Sequence, residues 1–117
     1  MRALVCICLM LSGCAGLPRE TAIEEGAWQA SHGFDAYQTS RFRSTPGTYE
    51  VESRFAIGRE PAQGTVSAYF AGLALLHYAV TRYLVQNGPR WLTRTWEAVT
   101  LAWNVKDVRQ NYLLGVR

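Results

Sequence analysis

Apolar positions recur along this chain with the period of a helix rather than that of a strand. Ile23, Ala27, Ala30, Phe34 and Tyr37 follow one another at steps of 4, 3, 4 and 3. Residues so spaced share one helical face, which predicts a first helix over residues 22–40. Thr21 and Glu24 have the spacing of a capping box at its start. Gly26 and Gly33 lie inside it; each costs about 1 kcal/mol relative to Ala in a helix interior, unless it permits close packing. A second stripe, Val66, Phe70, Leu73, His77, Val80 and Leu84, predicts a helix over residues 62–86, the most hydrophobic segment of the domain. Ala68 and Gly72, four apart, offer a small-residue strip for close approach. Asn87-Gly88-Pro89 should end this helix, with Gly suited to a left-handed cap and Pro unable to continue. A third stripe, Leu92, Trp96, Val99 and Trp103, predicts a helix over residues 90–114, stopped by Gly115.

The intervening residues 41–61 read as an irregular loop. Ser44-Thr45-Pro46-Gly47 is a turn signal, because Pro presets one backbone angle and Gly supplies the permissive one. Tyr49-Glu50-Val51-Glu52 is at most a brief extended piece, too short to seed a sheet. The expected fold is therefore all-α: a small antiparallel three-helix bundle with short connections.

The N-terminus has a different pattern. Arg2 precedes an uncharged apolar run over residues 3–11, followed by the small residues Ser12 and Gly13. That is the layout of a secretory signal, and the run is far shorter than the ~20 residues of a spanning helix. Leu11-Ser12-Gly13-Cys14 resembles the cleavage site of bacterial lipoproteins. The resemblance implies a diacylglyceryl group on the Cys14 sulfur, cleavage before Cys14 and acylation of the new amine. Ala15 instead of Asp after the cysteine implies sorting to the periplasmic face of the outer membrane, with the inner membrane as the alternative. The domain organisation expected is a signal peptide over 1–13, a lipidated tether over 14–20 and a helical domain over 21–117.

Composition narrows the function classes. The chain has 117 residues and a formal charge of +3. That is one small domain, and its charge is too weak and scattered to suggest a nucleic-acid partner. Lys106 is the only Lys, so the cations are almost all Arg. Cys6 and Cys8 fall inside the signal and Cys14 carries the lipid, so the mature domain is left without a disulfide, a free thiol or a cysteine metal ligand. No cofactor beyond the covalent lipid is expected.

The middle of the chain also resembles a group of short bacterial and phage-encoded helical lipoproteins. The shared residues are Asp35 with Gln38-Thr39, then Glu52, then Ile57-Gly58-Arg59-Glu60-Pro61, then Leu75-Leu76-His77. The likeness covers about residues 28–85. It departs where the group has Asn-Pro and this chain has Arg54-Phe55. It implies a helical fold and a membrane-anchored location, and no particular activity.

Trp28, His32, Asp35 and Thr39 share a face of the first helix at steps of 4, 3 and 4, roughly opposite the Ile23 stripe. The favoured reading is a solvated face with one helix-to-loop hydrogen bond. The sharper one gathers His32, Asp35, Thr39, Glu52 and His77 into a polar cluster that holds a metal or does acid–base work. No HxxxH or HxH pair is present, and no metal is expected. His77, alone on an apolar stripe, reads as a core histidine bonded to Asp35 or Glu52, since buried polar groups need partners. No nucleophile elbow or Gly-rich phosphate loop occurs, so an enzyme is not expected. Trp28, Trp91, Trp96 and Trp103 read as core packing in preference to an interfacial belt. Residues 66–85 are nominally long enough to span a bilayer, but Ser67, His77 and Thr81 interrupt them.

The expectation is a non-enzymatic accessory or structural lipoprotein of the cell envelope, held to lipid by Cys14 and docking a protein partner. The alternatives are a metal-binding protein or enzyme using His32, Asp35, Glu52 and His77, and a membrane-embedded helical hairpin.

Overall fold

The structure, a computed structural model, describes residues 16–50 and 53–116. Cys14, the signal segment and Glu52 lie outside the described residues. Three long helices form the fold: α1 (Arg19–Arg41), α3 (Gln63–Asn87) and α4 (Arg90–Leu113). A one-turn helix, α2 (Arg54–Ile57), sits in the long connection. No strand occurs among the described residues. The helices form the expected all-α bundle, with α1 packed against both α3 and α4 and most extensively against α4.

Local chemistry explains the ends. Pro18 precedes α1, and no side chain caps that helix, so Thr21 and Glu24 do not form the predicted capping box. The helix begins two residues before Thr21, and Thr21 is buried among the inward residues instead. Thr45-Pro46-Gly47-Thr48 makes the predicted turn: Gly47 has φ +78° and the Thr48 amide donates to the Thr45 carbonyl at 3.3 Å. At the end of α3, Gly88 has φ −105° and is extended, not left-handed. Gly is needed there for space, because a Cβ would sit 2.9 Å from the Leu84 carbonyl oxygen. Pro89 then opens α4. Gly115 does adopt the left-handed conformation, at φ +86°. The Val116 amide donates to Asn111 O and the Gly115 amide to Tyr112 O, at 3.1 and 3.0 Å. Together these bonds complete a Schellman stop.

Burial inverts much of the expected pattern. Ile23, Phe34 and Tyr37, expected to face the core, are exposed, and Trp28, His32, Asp35 and Thr39 are buried. In α4, Val99 and Trp103 point outward, while Thr93, Glu97, Asn104 and Asn111 point inward. Only the α3 stripe keeps its expected orientation, with Val66, Phe70 and His77 buried. Ala68 and Gly72 are exposed, and a Cβ on Gly72 would meet nothing, so no backbone approaches there. Of the four Trp, Trp28 is buried and Trp96 half-buried, but Trp91 and Trp103 are exposed, which limits the core-packing expectation. Ile57, Val66 and Phe70 form a small apolar cluster where α2 meets α3. Among the described residues, no helix is long and apolar enough to cross a membrane.

Candidate functional site

The inward face of α1 runs through Thr21, Glu25, Trp28, His32, Asp35 and Thr39, at steps of 4, 3, 4, 3 and 4. The inward face of α4 repeats those steps through Thr93, Glu97, Thr100, Asn104, Asp107 and Asn111. The helical period is intact on both, but the residues that obey it are mostly polar. Packing these faces together builds two linked polar clusters in the interior.

The first cluster joins all three long helices. His77 Nδ1 lies 2.9 Å from Glu25 Oε2, and both side chains are almost fully buried. His77 Nε2 lies 2.8 Å from Thr100 Oγ1, and the Thr100 hydroxyl donates to the Trp96 carbonyl at 2.7 Å. Thr81 Oγ1 lies 2.9 Å from Glu25 Oε2 and 2.6 Å from Glu97 Oε1, and it accepts from Trp96 Nε1 at 3.1 Å. One hydroxyl carries one proton and cannot donate to two carboxylates. The arrangement closes if Glu97 is neutral and donates to Thr81, which donates to Glu25. Burial, together with the neighbouring Glu25 carboxylate, does hold the Glu97 carboxyl well above the usual carboxylate range. Burial also pushes Glu25 upward, but hydrogen bonds from His77, Gln29 and Thr81 outweigh it and leave Glu25 below its ordinary value. Two neighbouring acids with opposite displacements are thus linked through one threonine.

The second cluster lies toward the loop. Asp35 Oδ1 accepts from Asn111 Nδ2 at 2.8 Å. Burial, reinforced by the charges of Asp107 and Glu50, raises the Asp35 carboxyl to about 7. Glu50, buried, accepts from Thr39 Oγ1 at 3.4 Å and from the Ser53 amide at 3.1 Å. His32 donates Nε2–H to the Phe70 carbonyl at 3.0 Å, and burial lowers its affinity for a second proton.

Flat rings connect the clusters. Trp28 stacks on His77 at 3.7 Å and on His32 at 4.4 Å, and His77 stacks on Trp96 at 5.0 Å. A cavity of about 440 Å³ runs beside this stack. Trp28, His32, Asp35, Glu50, His77 and Asp107 all contribute to its wall.

Of the described members of the expected cluster, His32, Asp35 and Thr39 fall in the second cluster and His77 in the first, with the Trp28 ring stacked on both His32 and His77. The solvated-face expectation for Trp28, His32, Asp35 and Thr39 is corrected, because α4 covers them. Among the described residues the carboxylate partner of His77 is Glu25, not Asp35. The acid that the loop contributes among the described residues is Glu50. Sequence reasoning missed Glu25, Thr81 and Glu97. A signal was present: Glu25 extends the Trp28 face by one step of three, and the polar residues of α4 keep heptad-like spacing over most of the helix.

Family models give no match to the chain. No curated protein matches it, and no solved structure matches it. Its class rests on the fold and the interior: an all-α bundle with a polar, aromatic-lined core.

Proposed function

We propose that this chain is a lipid-anchored, non-enzymatic accessory protein of the bacterial cell envelope, whose bundle seats on the bilayer through its apolar exterior. One observation carries this reading: large apolar side chains face outward on all three long helices, and on α1 and α4 the inward side chains are mostly polar. Ile23, Phe34, Leu75, Leu76, Val99, Trp103 and Leu113 are all exposed. In water this is unfavourable; an exposed apolar surface of this kind marks an interaction site. Because it occurs on all three long helices, a lipid surface suits it better than one flat protein facet. The helices are joined largely by side-chain hydrogen bonds, which is how helices associate when lipid removes the hydrophobic drive between them. Gln29 donates to Ala74 O at 3.1 Å and Gln38 to Val116 O at 3.1 Å. Exposed Trp91, Trp103, Tyr83 and Tyr112 suit the headgroup zone. Only four residues would separate a lipidated Cys14 from the start of α1, a reach of at most about 18 Å.

Lipidation of Cys14 at the periplasmic face of the outer membrane completes the proposal, with a protein partner recruited there. Palmitate labelling and vesicle flotation test it. Wild-type chain should take label, and Cys14→Ser should not. The Cys14→Ser protein should still float with phospholipid vesicles through its bundle. Absence of label on the wild type overturns the anchor, and absence of flotation by Cys14→Ser overturns the seating.

A further inference from the structure

We propose that Glu25, His77 and Glu97 form a buried site for one divalent transition-metal ion of the zinc type. Each comes from a different long helix, and their donor atoms lie within 4.8 Å of one another. A tetrahedral zinc site with bonds of about 2.1 Å places its ligand atoms about 3.4 Å apart. Glu25 Oε2 and His77 Nδ1, at 2.9 Å, are close to that edge length.

The charge also fits. Two carboxylates neutralise a divalent cation, and the imidazole adds a neutral donor, so the filled site would carry no net charge into the interior. The site holds an independent sign of a missing partner: Glu97 is 1 % exposed, and its Oε2 accepts no hydrogen bond from any described residue. Buried polar atoms without partners are rare and call for an explanation.

The surrounding shell orients the donors. The Thr100 hydroxyl gives its proton to Trp96 O, so it accepts from His77 Nε2–H. That fixes Nδ1 as the nitrogen facing the two acids, the usual outer-shell arrangement of a metal-bound histidine. Thr81 holds both carboxyls. Binding exchanges protons for the ion, the expected coupling of metal affinity to pH. His77, Trp96 and Thr100 also line the cavity, so the site borders it on the His77 side.

The test uses the full chain in detergent micelles, stripped with a chelator and titrated with Co²⁺, then with Zn²⁺. Wild type should bind one Co²⁺ with visible d–d absorption that Zn²⁺ abolishes, and the emission of Trp28, stacked on His77, should change in step. Glu97→Gln keeps the contact with Thr81 but loses the second charge; it should lower the affinity at least tenfold with its helical circular dichroism intact. Should Glu97→Gln fail to fold, Thr100→Val, which removes the hydroxyl that holds His77 Nε2 and leaves all three ligands in place, should lower the affinity several-fold. Wild type without d–d bands overturns the site. So does metal binding unchanged in the folded variant, which identifies an adventitious surface ion.

Discussion

The inward and outward faces of α1 and α4 obey one helical period and follow opposite chemical rules. Inward lie Glu25, Asp35, Glu97, Asn104 and Asn111; outward lie Ile23, Phe34, Val99 and Trp103. The inner face has directional bonds whose partners are fixed, so a change there leaves a specific atom unpaired. The outer face has area without partners inside the chain, so a change there alters what the bundle can sit against. The contrast teaches that amphipathic period locates a helix face but does not decide which face is buried.

The largest expected effect is at Glu25. Glu25→Ala removes the acceptor for His77, Thr81 and Gln29 together. Breaking a buried pair from one side costs about 3–5 kcal/mol, to be read from urea unfolding in micelles. A loss below about 1 kcal/mol would show that the polar seam does not hold the helices together.

Next comes pH. The folded-state Asp35 carboxyl is raised from 3.8 to about 7. An acid raised on folding contributes stability that is fully present below its unfolded value and is lost as pH rises through the folded one. The Asp35 contribution should therefore fall between about pH 4 and 7. At about 1.4 kcal/mol per pKa unit, its ceiling is on the order of 4 kcal/mol. His32, lowered by burial, runs the other way: its contribution is lost as pH falls below its ordinary value of 6.5. Asp35→Asn isolates the first effect: relative to wild type it should gain stability at pH 7.5 and not at pH 4. Equal shifts at both pH values would remove Asp35 as the cause.

A smaller effect belongs to the helix stop. Gly115→Ala places a Cβ at φ +86°, and left-handed geometry costs an L-residue about 1–2 kcal/mol. Thermal melting should show it, with loss of the Gln38–Val116 bond that the stop positions.

The smallest effect on folding should come from the exterior. Phe55→Ser and Leu75→Gln alter side chains exposed by 89 % and 72 %, and such changes are usually within about 0.5 kcal/mol. Leu75→Gln should nonetheless reduce vesicle flotation of the Cys14→Ser chain. A large loss of stability with flotation unchanged would reverse the comparison.

The three long helices, the turn at Gly47 and the stop at Gly115 were legible from spacing and from residues whose backbone preferences are local. The orientation of α3 was legible because its stripe is apolar and its inward Val66 and Phe70 meet Ile57. The face shared by Trp28, His32, Asp35 and Thr39 was legible too, though not its burial.

What the sequence determined by itself, then, was a set of helical faces, because a face depends on period and on nothing beyond the helix. Which face turned inward was decided only by the tertiary structure. Glu25 is a poor core residue until His77 and Thr81 arrive from α3 and Gln29 from its own next turn. Glu97 acquires a use only beside them. The value of a buried polar group depends on partners that lie up to 56 residues away in Glu25–Thr81 and 76 residues away in Asp35–Asn111, and hydropathy read along the chain carries no record of those pairings.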